Sequence, residues 1–188
     1  MKERTGDFLM QLLKRRNISE ARLAEALKVS RPMVACILKG ERALSLKQAS
    51  HIERFLDLPE GTLLKMQIGN QLQEYKAELK QSLLNSLSSA HAFWSHPMGL
   101  PDEVPDEEII EKTFMCLDVE DIATMFELYP KSQIKKVWLE HMVPQGDYLR
   151  RLNTMIAYVY FDIDNPERYL QRQENIQLNK RLNPCMAD

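Results

Sequence analysis

Glycine is scarce in this sequence, and the few glycines are widely separated. Only six occur among 188 residues, whereas an average protein has about 7% glycine. Neither the G-x-G-x-x-G pattern of dinucleotide-binding folds nor the G-x-x-x-x-G-K pattern of phosphate-binding loops is present. The sequence therefore lacks the commonest signatures of nucleotide-binding enzymes.

Cysteine and histidine are also sparse. The three cysteines, Cys36, Cys116 and Cys185, are far apart and odd in number, which argues against a disulfide framework and favours a reducing compartment. The four histidines are His51, His91, His96 and His141. No pair among them has a recognised metal-binding spacing, since even the two nearest are five residues apart rather than four. We therefore expect no metal, no cofactor and no enzymatic activity.

Long apolar runs are absent as well. No stretch approaches the ~18 to 20 consecutive apolar residues that a membrane-spanning helix needs. The N-terminus is charged at Lys2, Glu3 and Arg4 and leads into an amphipathic segment, which is not the pattern of a signal peptide. Hydrophobic residues still make up 44% of the chain, which is enough for a packed core. We expect a cytoplasmic protein.

The charges that are present are divided unevenly along the chain. Residues 1–66 contain 13 Lys and Arg against 8 Asp and Glu, a net charge of +5. Residues 67–188 contain 12 against 19, a net charge of −7, and the two parts sum to the overall −2. Excess basic charge is what a phosphate-binding surface requires, so the first third of the chain is the better candidate for nucleic-acid binding.

The first 66 residues predict five short helices. Apolar residues recur at helical spacing in segments that are separated by polar breaks. Ser19, Ser30 and Ser45 are placed to cap the second, third and fourth helices, and Pro59 opens the fifth. Gly40 follows the third helix, where a left-handed residue commonly ends a helix. Two helices joined by a short turn form a DNA-reading unit when the second helix enters the major groove.

A longer helical pattern follows, with an apolar stripe on one side. The stripe recurs every three or four residues from position 62 to about position 88. Its members are Ile68, Leu72, Tyr75, Leu79, Leu83 and Leu87. Such a stripe needs a partner, which is another copy, another protein or the C-terminal part of the same chain.

The remaining sequence contains a proline-rich break and then more helices. Residues 95–105 include three prolines and a glycine, which stop helices and favour extended chain. Beyond this break, Asp118 and Asp147 are placed to cap helices, and Trp138 is expected to pack in the core rather than to anchor an interface. The last long helix has a wide apolar face typical of a core helix, formed by Tyr148, Leu149, Leu152, Met155, Ile156, Val159 and Tyr160. We predict an all-α chain with a five-helix N-terminal domain, a long connecting helix and a small C-terminal helical domain. The predicted boundaries are 1–66 for the helix-turn-helix domain, 67–94 for the connecting helix, 95–105 for the linker, 106–172 for a partner-binding domain and 173–188 for a flexible tail.

Part of the N-terminal pattern is specific to one family. The segments that carry it are Gly6–Leu9, Ile18–Arg31 and Ile37–Ser45, with the small Ala24 where the two helices pack. On these residues, positions 6–66 resemble the lambda-repressor-like helix-turn-helix family and, within it, the HigA-type antitoxins. The resemblance implies binding to an operator in double-stranded DNA as a homodimer.

The resemblance also implies which side chains touch DNA. The matching positions are Ser30, Arg31, Met33, Cys36, Lys39, Arg42 and Lys47. Arg31 has the chemistry to bind a guanine in two hydrogen bonds or to hold a phosphate, and Met33 and Ala35 suit contact with thymine methyls. Two positions depart from the family pattern, since Glu20 replaces a frequent glutamine and Lys28 stands where a turn glycine is common. Pro32, Met33, Ala35 and Cys36 also make the third helix more apolar than in related domains.

The C-terminal part carries a second resemblance. It rests on Phe93-Trp94, Asp118–Ile122, Val137–Leu139, Arg151–Asn153 and Asn165–Tyr169. Residues 93–172 are similar to a helical domain of bacterial proteins encoded beside nucleotidyltransferase-like toxins of the AbiE type. The resemblance implies a toxin as partner and supplies no catalytic residues.

Two hypotheses follow. In the first, the chain is a transcriptional regulator, the autorepressing antitoxin of a toxin–antitoxin system, whose C-terminal domain binds the toxin. In the second, the chain is a protein-interaction module that uses the helix-turn-helix fold for dimerisation or docking and does not bind DNA. The apolar residues of the third helix favour the second hypothesis, and the basic N-terminal charge favours the first.

Overall fold

A computed structural model describes residues 4–93 and 104–182 of the chain, with side chains described as far as residue 177. This part contains helices and no β-strand, which confirms the all-α prediction. The helices are α1 (Thr5–Arg15), α2 (Glu20–Leu27), α3 (Arg31–Leu38), α4 (Leu46–Phe55), α5 (Thr62–Ser89), α6 (Asp106–Cys116), α7 (Val119–Leu128), α8 (Lys131–Val137), α9 (Arg150–Val159) and α10 (Pro166–Leu182). None of them, over the residues described, has both the length and the apolarity to cross a membrane.

The chain forms two compact units, Met1–Ala77 and Glu78–Asp188. In the first, α1 to α4 and the start of α5 surround one apolar core. Ser19 caps α2, and Ser45 with Gln48 forms a reciprocal capping box on α4, as the sequence predicts. Helical spacing predicts Leu46 on the inner face of α4, but this side chain is 73% exposed at the start of the helix.

Helices α1 and α3 approach each other closely at Gly6. A Cβ atom at this position would lie only 2.3 Å from the carbonyl oxygen of Leu38 at the end of α3. Gly6 is buried and has ordinary helical backbone geometry, so the close approach, and not backbone freedom, requires a glycine here. This contact sets how near α1 lies to the C-terminal end of α3.

Helix α5 is anchored to the first unit by a buried carboxylate. Glu53 of α4 is 3% exposed and accepts hydrogen bonds from the backbone N–H groups of Gly61, at 2.9 Å, and Leu63, at 2.8 Å. These donors lie at the N-terminal end of α5, where helical N–H groups have no partner within the helix. The carboxylate also interacts favourably with the helix dipole. Glu53 therefore fixes where α5 begins.

The predicted fifth helix and the predicted connecting helix are one continuous helix. Gly69 lies inside α5 without a positive φ and without a break in the helix. Gln67 pairs through its side-chain amide with both backbone groups of Leu44, at 2.6 and 3.2 Å. The first compact unit accordingly extends past residue 66 to Ala77.

The apolar stripe of α5 is covered only at its C-terminal end. Leu83 and Leu87 are fully buried in the core of the second unit, and Leu79 packs against that core. Ile68 and Leu72 are 61% and 51% exposed. The chain's own C-terminal part is therefore the partner of half the stripe.

Polar contacts hold the end of α5 within the second unit. Lys80 forms a 2.7 Å ion pair with Asp106, and the hydroxyl of Ser86 donates to Asp121 at 2.9 Å. Asp106 also accepts a 2.9 Å hydrogen bond from the hydroxyl of Tyr129. Burial raises the pKa of Tyr129 above its ordinary value, and the hydrogen bond to Asp106 and its negative charge add to the effect. Tyr129 thus stays a donor to this carboxylate.

Trp138 is the centre of the second core. It is fully buried, stacks on Phe161 with ring centres 5.0 Å apart, and donates from Nε1 to Oδ1 of the buried Asn153 at 2.9 Å. Asn153 in turn donates to the carbonyl of Met142 at 3.2 Å. A π-helical turn at Trp138–Met142 and a 3₁₀ segment at Val143–Leu149 join α8 to α9. Trp138 therefore packs in the core and is not an interface anchor.

Several local predictions in the second unit differ from the structure. Asp118 caps α7 as expected, but Asp147 lies inside the 3₁₀ segment and α9 begins without a side-chain cap. Helix α10 continues to Leu182, where the sequence suggested a flexible tail from residue 173. Residues 95–103 of the predicted linker and the tail beyond 182 lie outside the described residues, whereas Val104 is buried in the second core.

We predict that Gly6→Ala destabilises the first unit. Since a Cβ would collide with the backbone of Leu38, the cost should resemble that of overpacking, about 1–3 kcal/mol, measured by hydrogen exchange of the α1 and α3 amides. Gly69→Ala is the matched control, because a Cβ there meets nothing within 4 Å. It should stabilise α5 by about 0.5–1 kcal/mol. If the α1 and α3 amides are equally protected from exchange in the two variants, the close contact between Gly6 and Leu38 is contradicted.

We also predict that Glu53→Gln loosens the start of α5. The amide has one acceptor oxygen for two N–H donors and turns its own NH₂ toward one of them, so a loss of about 1.5–3 kcal/mol is expected. The measurement is hydrogen exchange of the first two turns of α5. Glu60→Gln, an exposed glutamate in the preceding turn, should leave the exchange unchanged. An equal effect of the two substitutions would show that Glu53 is not the anchor.

Candidate nucleic-acid interface

The turn between α2 and α3 is short and its geometry is set by Lys28. This residue has φ 53° and ψ 43°, in the left-handed region, as expected at a position where glycine is common. The backbone N–H of Val29 donates to the carbonyl of Ala24 at 3.0 Å and closes the end of α2. A left-handed lysine costs roughly 1–2 kcal/mol, which the surrounding packing offsets. Helix α3 then begins at Arg31, three residues after Lys28.

Helix α3 has one buried face and one accessible face. Val34, Ile37 and Leu38 are buried in the first core. Arg31 and Pro32 are exposed at the N-terminal end. A helix that buries one face and exposes its N-terminal side chains has the arrangement that recognition helices use to reach base edges.

Two of the predicted DNA-contacting residues are partly buried in the folded first unit. Met33 is half-buried against the first core, and its sulfur lies 3.7 Å from the amide nitrogen of Gln48 in α4. Cys36 is also half-buried, one turn further along. Both sulfur-containing side chains therefore offer DNA less surface than their position in the sequence suggests.

Ser30 occupies the N-cap position of α3 but does not cap it through its side chain. Its backbone is extended, with φ −73° and ψ 151°, and no side-chain capping hydrogen bond forms. The predicted capping interaction is therefore wrong in this detail. Ser30 is exposed beside Arg31, where a hydroxyl suits a phosphate oxygen.

The other predicted basic residues lie at the opposite end of α3 and beyond it. Lys39 ends the helix, Arg42 lies in the following loop and Lys47 lies in the first turn of α4, all exposed. Gly40, with φ 76°, turns the chain, and the N–H groups of Glu41 and Arg42 both donate to the carbonyl of Cys36. At 1.5 Å per residue, Arg31 and Lys39 are separated by about 12 Å along the helix. The predicted residues thus form two basic positions rather than one cluster.

Each basic position contains an arginine that sequence reasoning did not select. Arg22 of α2 lines a shallow concavity together with Arg31, and Ser19 and Glu25 lie at the same concavity. Arg4 lines a cavity of about 210 Å³ together with Arg42, at the N-terminal end of α1. Neither arginine stands at a position that the family resemblance marks as a DNA contact, so only the folded arrangement places them beside the predicted residues.

Acidic residues limit the positive charge of this surface. Glu20, in the first turn of α2, is exposed, and Glu25 lies in the concavity with Arg22 and Arg31. Arg31, the arginine of α3, therefore has one cation, Arg22, and one anion, Glu25, beside it in this concavity. In the described residues, no three His, Cys, Asp or Glu side chains are grouped to hold a metal ion.

Comparison with known proteins gives one match, and it lies within the first unit. Residues 9–63 match the family model described as a helix-turn-helix. No curated protein and no solved structure matches the chain. The matched segment includes α2, the turn and α3 in full. Residues 9–63 therefore form a helix-turn-helix domain, and this match supports the lambda-repressor-like family and a DNA-binding role in transcription regulation.

Proposed function

We propose that this chain is the autorepressing antitoxin of a toxin–antitoxin system. The first unit binds an operator upstream of its own gene, and the second unit binds the toxin. The observation that carries the DNA-binding part is the exposed Arg31 at the start of α3 within a matched helix-turn-helix domain. The resemblance of residues 6–66 to HigA-type antitoxins supports the more specific role.

In this proposal the residues of the two basic positions have different roles in DNA binding. Arg31 hydrogen-bonds a guanine edge in the major groove, since its planar guanidinium matches the N7 and O6 acceptors. Ser30 and Arg22 hold the phosphates on one side of α3, and Lys39, Arg42 and Lys47 hold those on the other. The half-buried Met33 and Cys36 contribute apolar contact only. Affinity then comes mainly from phosphates, and sequence preference mainly from Arg31.

The charge of the second unit supports a partner with a basic surface. Residues 106–127 contain eight acidic residues against one lysine, a net charge of −7. They form α6 and α7, which pack on each other. A toxin that handles nucleotides or nucleic acid presents positive charge around its active site, so an acidic surface is electrostatically complementary to it. The resemblance of residues 93–172 to proteins encoded beside AbiE-type nucleotidyltransferase toxins supports the same partner.

Operator binding by a lambda-repressor-like domain calls for two copies. A symmetric homodimer places two recognition helices one helical turn of DNA apart, about 34 Å, on a palindromic site. We therefore include a homodimer in the proposed function.

The alternative function is a docking module that does not bind DNA. The apolar surface of α3 favours it, since Pro32 is exposed and Ala35 is partly exposed. The partial burial of Met33 and Cys36 reduces that surface, and the adjoining arginines suit phosphates better than an apolar partner. DNA binding is the function that the geometry supports best.

We predict that Arg31→Ala weakens binding to the upstream DNA by about 1–3 kcal/mol, roughly 5- to 150-fold, and relaxes its sequence preference. Arg42→Ala should weaken binding to all duplexes alike and reduce the slope of log affinity against log salt by about 1. The measurement is fluorescence anisotropy at several salt concentrations.

Arg54→Ala is the matched control for both variants. Arg54 is exposed in the last turn of α4 and lines neither the Arg22 nor the Arg42 surface. Its substitution removes the same charge from the same unit without changing either basic position. Its effect should be small and independent of DNA sequence. If all three variants lose affinity equally, only net charge matters and the assigned roles are wrong.

We further predict that the protein encoded beside this chain binds the second unit through its acidic surface. Glu107→Lys and Glu120→Lys together reverse two exposed charges of α6 and α7. They should weaken binding by at least about tenfold at low salt and less at high salt, measured by calorimetry. Glu167→Lys with Glu140→Lys, two exposed positions elsewhere in the unit, is the control pair. Equal losses in both pairs would contradict a role for α6 and α7.

A further inference from the structure

Helix α9 presents an apolar and aromatic face that the second unit does not cover. Tyr148, just before the helix, is 80% exposed, and Tyr158 near its end is 65% exposed. Met155 and Val159 are exposed between and beside them. The sequence pattern places Tyr148, Leu149, Met155, Ile156 and Val159 in the core. The structure buries Leu149 and Ile156, together with Asn153 and Ala157, but leaves Tyr148, Met155 and Val159 exposed.

The composition of this face is that of an interface, and its size is that of the largest apolar patches on a typical monomer. Tyrosine, methionine and arginine are enriched at protein interfaces, and Arg151 lies on the same exposed side of α9. A tyrosine side chain covers about 150–250 Å², so the two tyrosines together expose on the order of 300 Å². Patches of about 300–600 Å² are the largest on a typical monomer and are often functional.

We infer that the α9 face, defined as Tyr148, Arg151, Met155, Tyr158 and Val159, packs antiparallel against the α9 face of a second copy of this chain. A two-fold axis that crosses the exposed side of α9 midway between Met155 and Tyr158 brings Met155 opposite Tyr158 of the other copy, twice. Sulfur–aromatic contacts of this kind are favourable.

Charge complementarity favours the antiparallel arrangement of two identical helices. Arg151 lies near one end of α9 and Asp162 lies just beyond the other end, eleven residues further along the chain. An antiparallel pair places each Arg151 near Asp162 of the other copy, whereas a parallel pair places Arg151 against Arg151. Asp162 is held within its own chain by Lys131 at 3.5 Å, with both side chains mostly exposed. Such a surface pair is weak, so Asp162 is available to the second copy.

The face on α5 is the competing surface for a second copy. It consists of Ile68 and Leu72 next to Tyr75, which already interacts within the chain. Exposed opposite charges flank both faces in the same way, Lys65 and Glu78 on α5 and Arg151 and Asp162 on α9, but the α5 face has one aromatic residue against two on α9. The α9 face is therefore the better match for self-association. This inference deepens the homodimer of the proposed function by naming its surface, but it does not depend on DNA binding.

The test is sedimentation equilibrium of the full chain without DNA, with Tyr158→Glu compared against Leu72→Glu. Both substitutions add one charge at an exposed apolar position and leave both cores intact, which circular dichroism verifies. We expect the wild type to be a dimer, Tyr158→Glu to weaken dimerisation at least about tenfold, as for an interface hot spot, and Leu72→Glu to dimerise normally. A monomeric wild type, or a dimer lost in Leu72→Glu and kept in Tyr158→Glu, overturns the inference.

Charge exchange tests the antiparallel arrangement directly. Arg151→Asp and Asp162→Arg should each weaken the dimer several-fold, and the double variant should restore it, because the two charges then meet with exchanged signs. Additive weakening in the double variant overturns the pairing. The outcome is distinguishable from the DNA-binding proposal: a dimer that binds no operator refutes DNA binding alone, and a monomer that binds a half-site refutes this inference and the proposed homodimer but not DNA binding.

Discussion

The position of α3 depends on the close packing of Gly6 against the carbonyl oxygen of Leu38. This contact fixes the C-terminal end of α3, while the left-handed Lys28 fixes the direction in which the chain enters its N-terminal end. Between these two constraints, Val34 and Ile37 hold the inner face in the core. Arg31 is exposed because the opposite face is held in this way. The cavity shared by Arg4 and Arg42 exists because α1 begins beside the loop that follows α3.

Helix α5 contributes to two cores. Leu63 is fully buried in the first core, and Leu83 and Leu87 are fully buried in the second. Glu53 fixes its beginning by accepting two backbone hydrogen bonds, and Lys80 and Ser86 hold its later turns by contacts to Asp106 and Asp121. The residues between them, 71–78, are exposed on every side.

Local features of the fold follow directly from the sequence. Short-range chemistry decides them: the caps at Ser19, Ser45 and Asp118 need only a side-chain oxygen and the next few N–H groups, and the start of α2 and α4 could be predicted on that basis. The burial of Trp138 also agrees with its expected role in the core. By contrast, the roles of Glu53 and Gln67 depend on partners 10 and 23 residues away, and no local pattern distinguishes them from surface residues.

The errors at the candidate site and on α9 have one physical cause. A helical period shows that one side of a helix is apolar but not how wide a stripe its neighbours cover. It therefore predicts burial for Leu46, Met155 and Val159, which the neighbouring helices leave exposed. In the same way, the contacts of Met33 with α4 and the pairing of Arg22 with Arg31 around one concavity depend on packing between helices. The family resemblance identified the recognition helix, and the three-dimensional arrangement shows which of its side chains are accessible.

The central claim is that the first unit binds DNA with sequence preference. The most direct measurement is the affinity of the full-length chain for the DNA upstream of its own gene and for an unrelated duplex of equal length, each titrated with salt. The proposed function predicts a steep decrease of affinity with salt for both duplexes, because phosphates are contacted, and tighter binding to the upstream DNA at every salt concentration. Equal, weak binding to both duplexes with little dependence on salt would contradict it and favour the docking module.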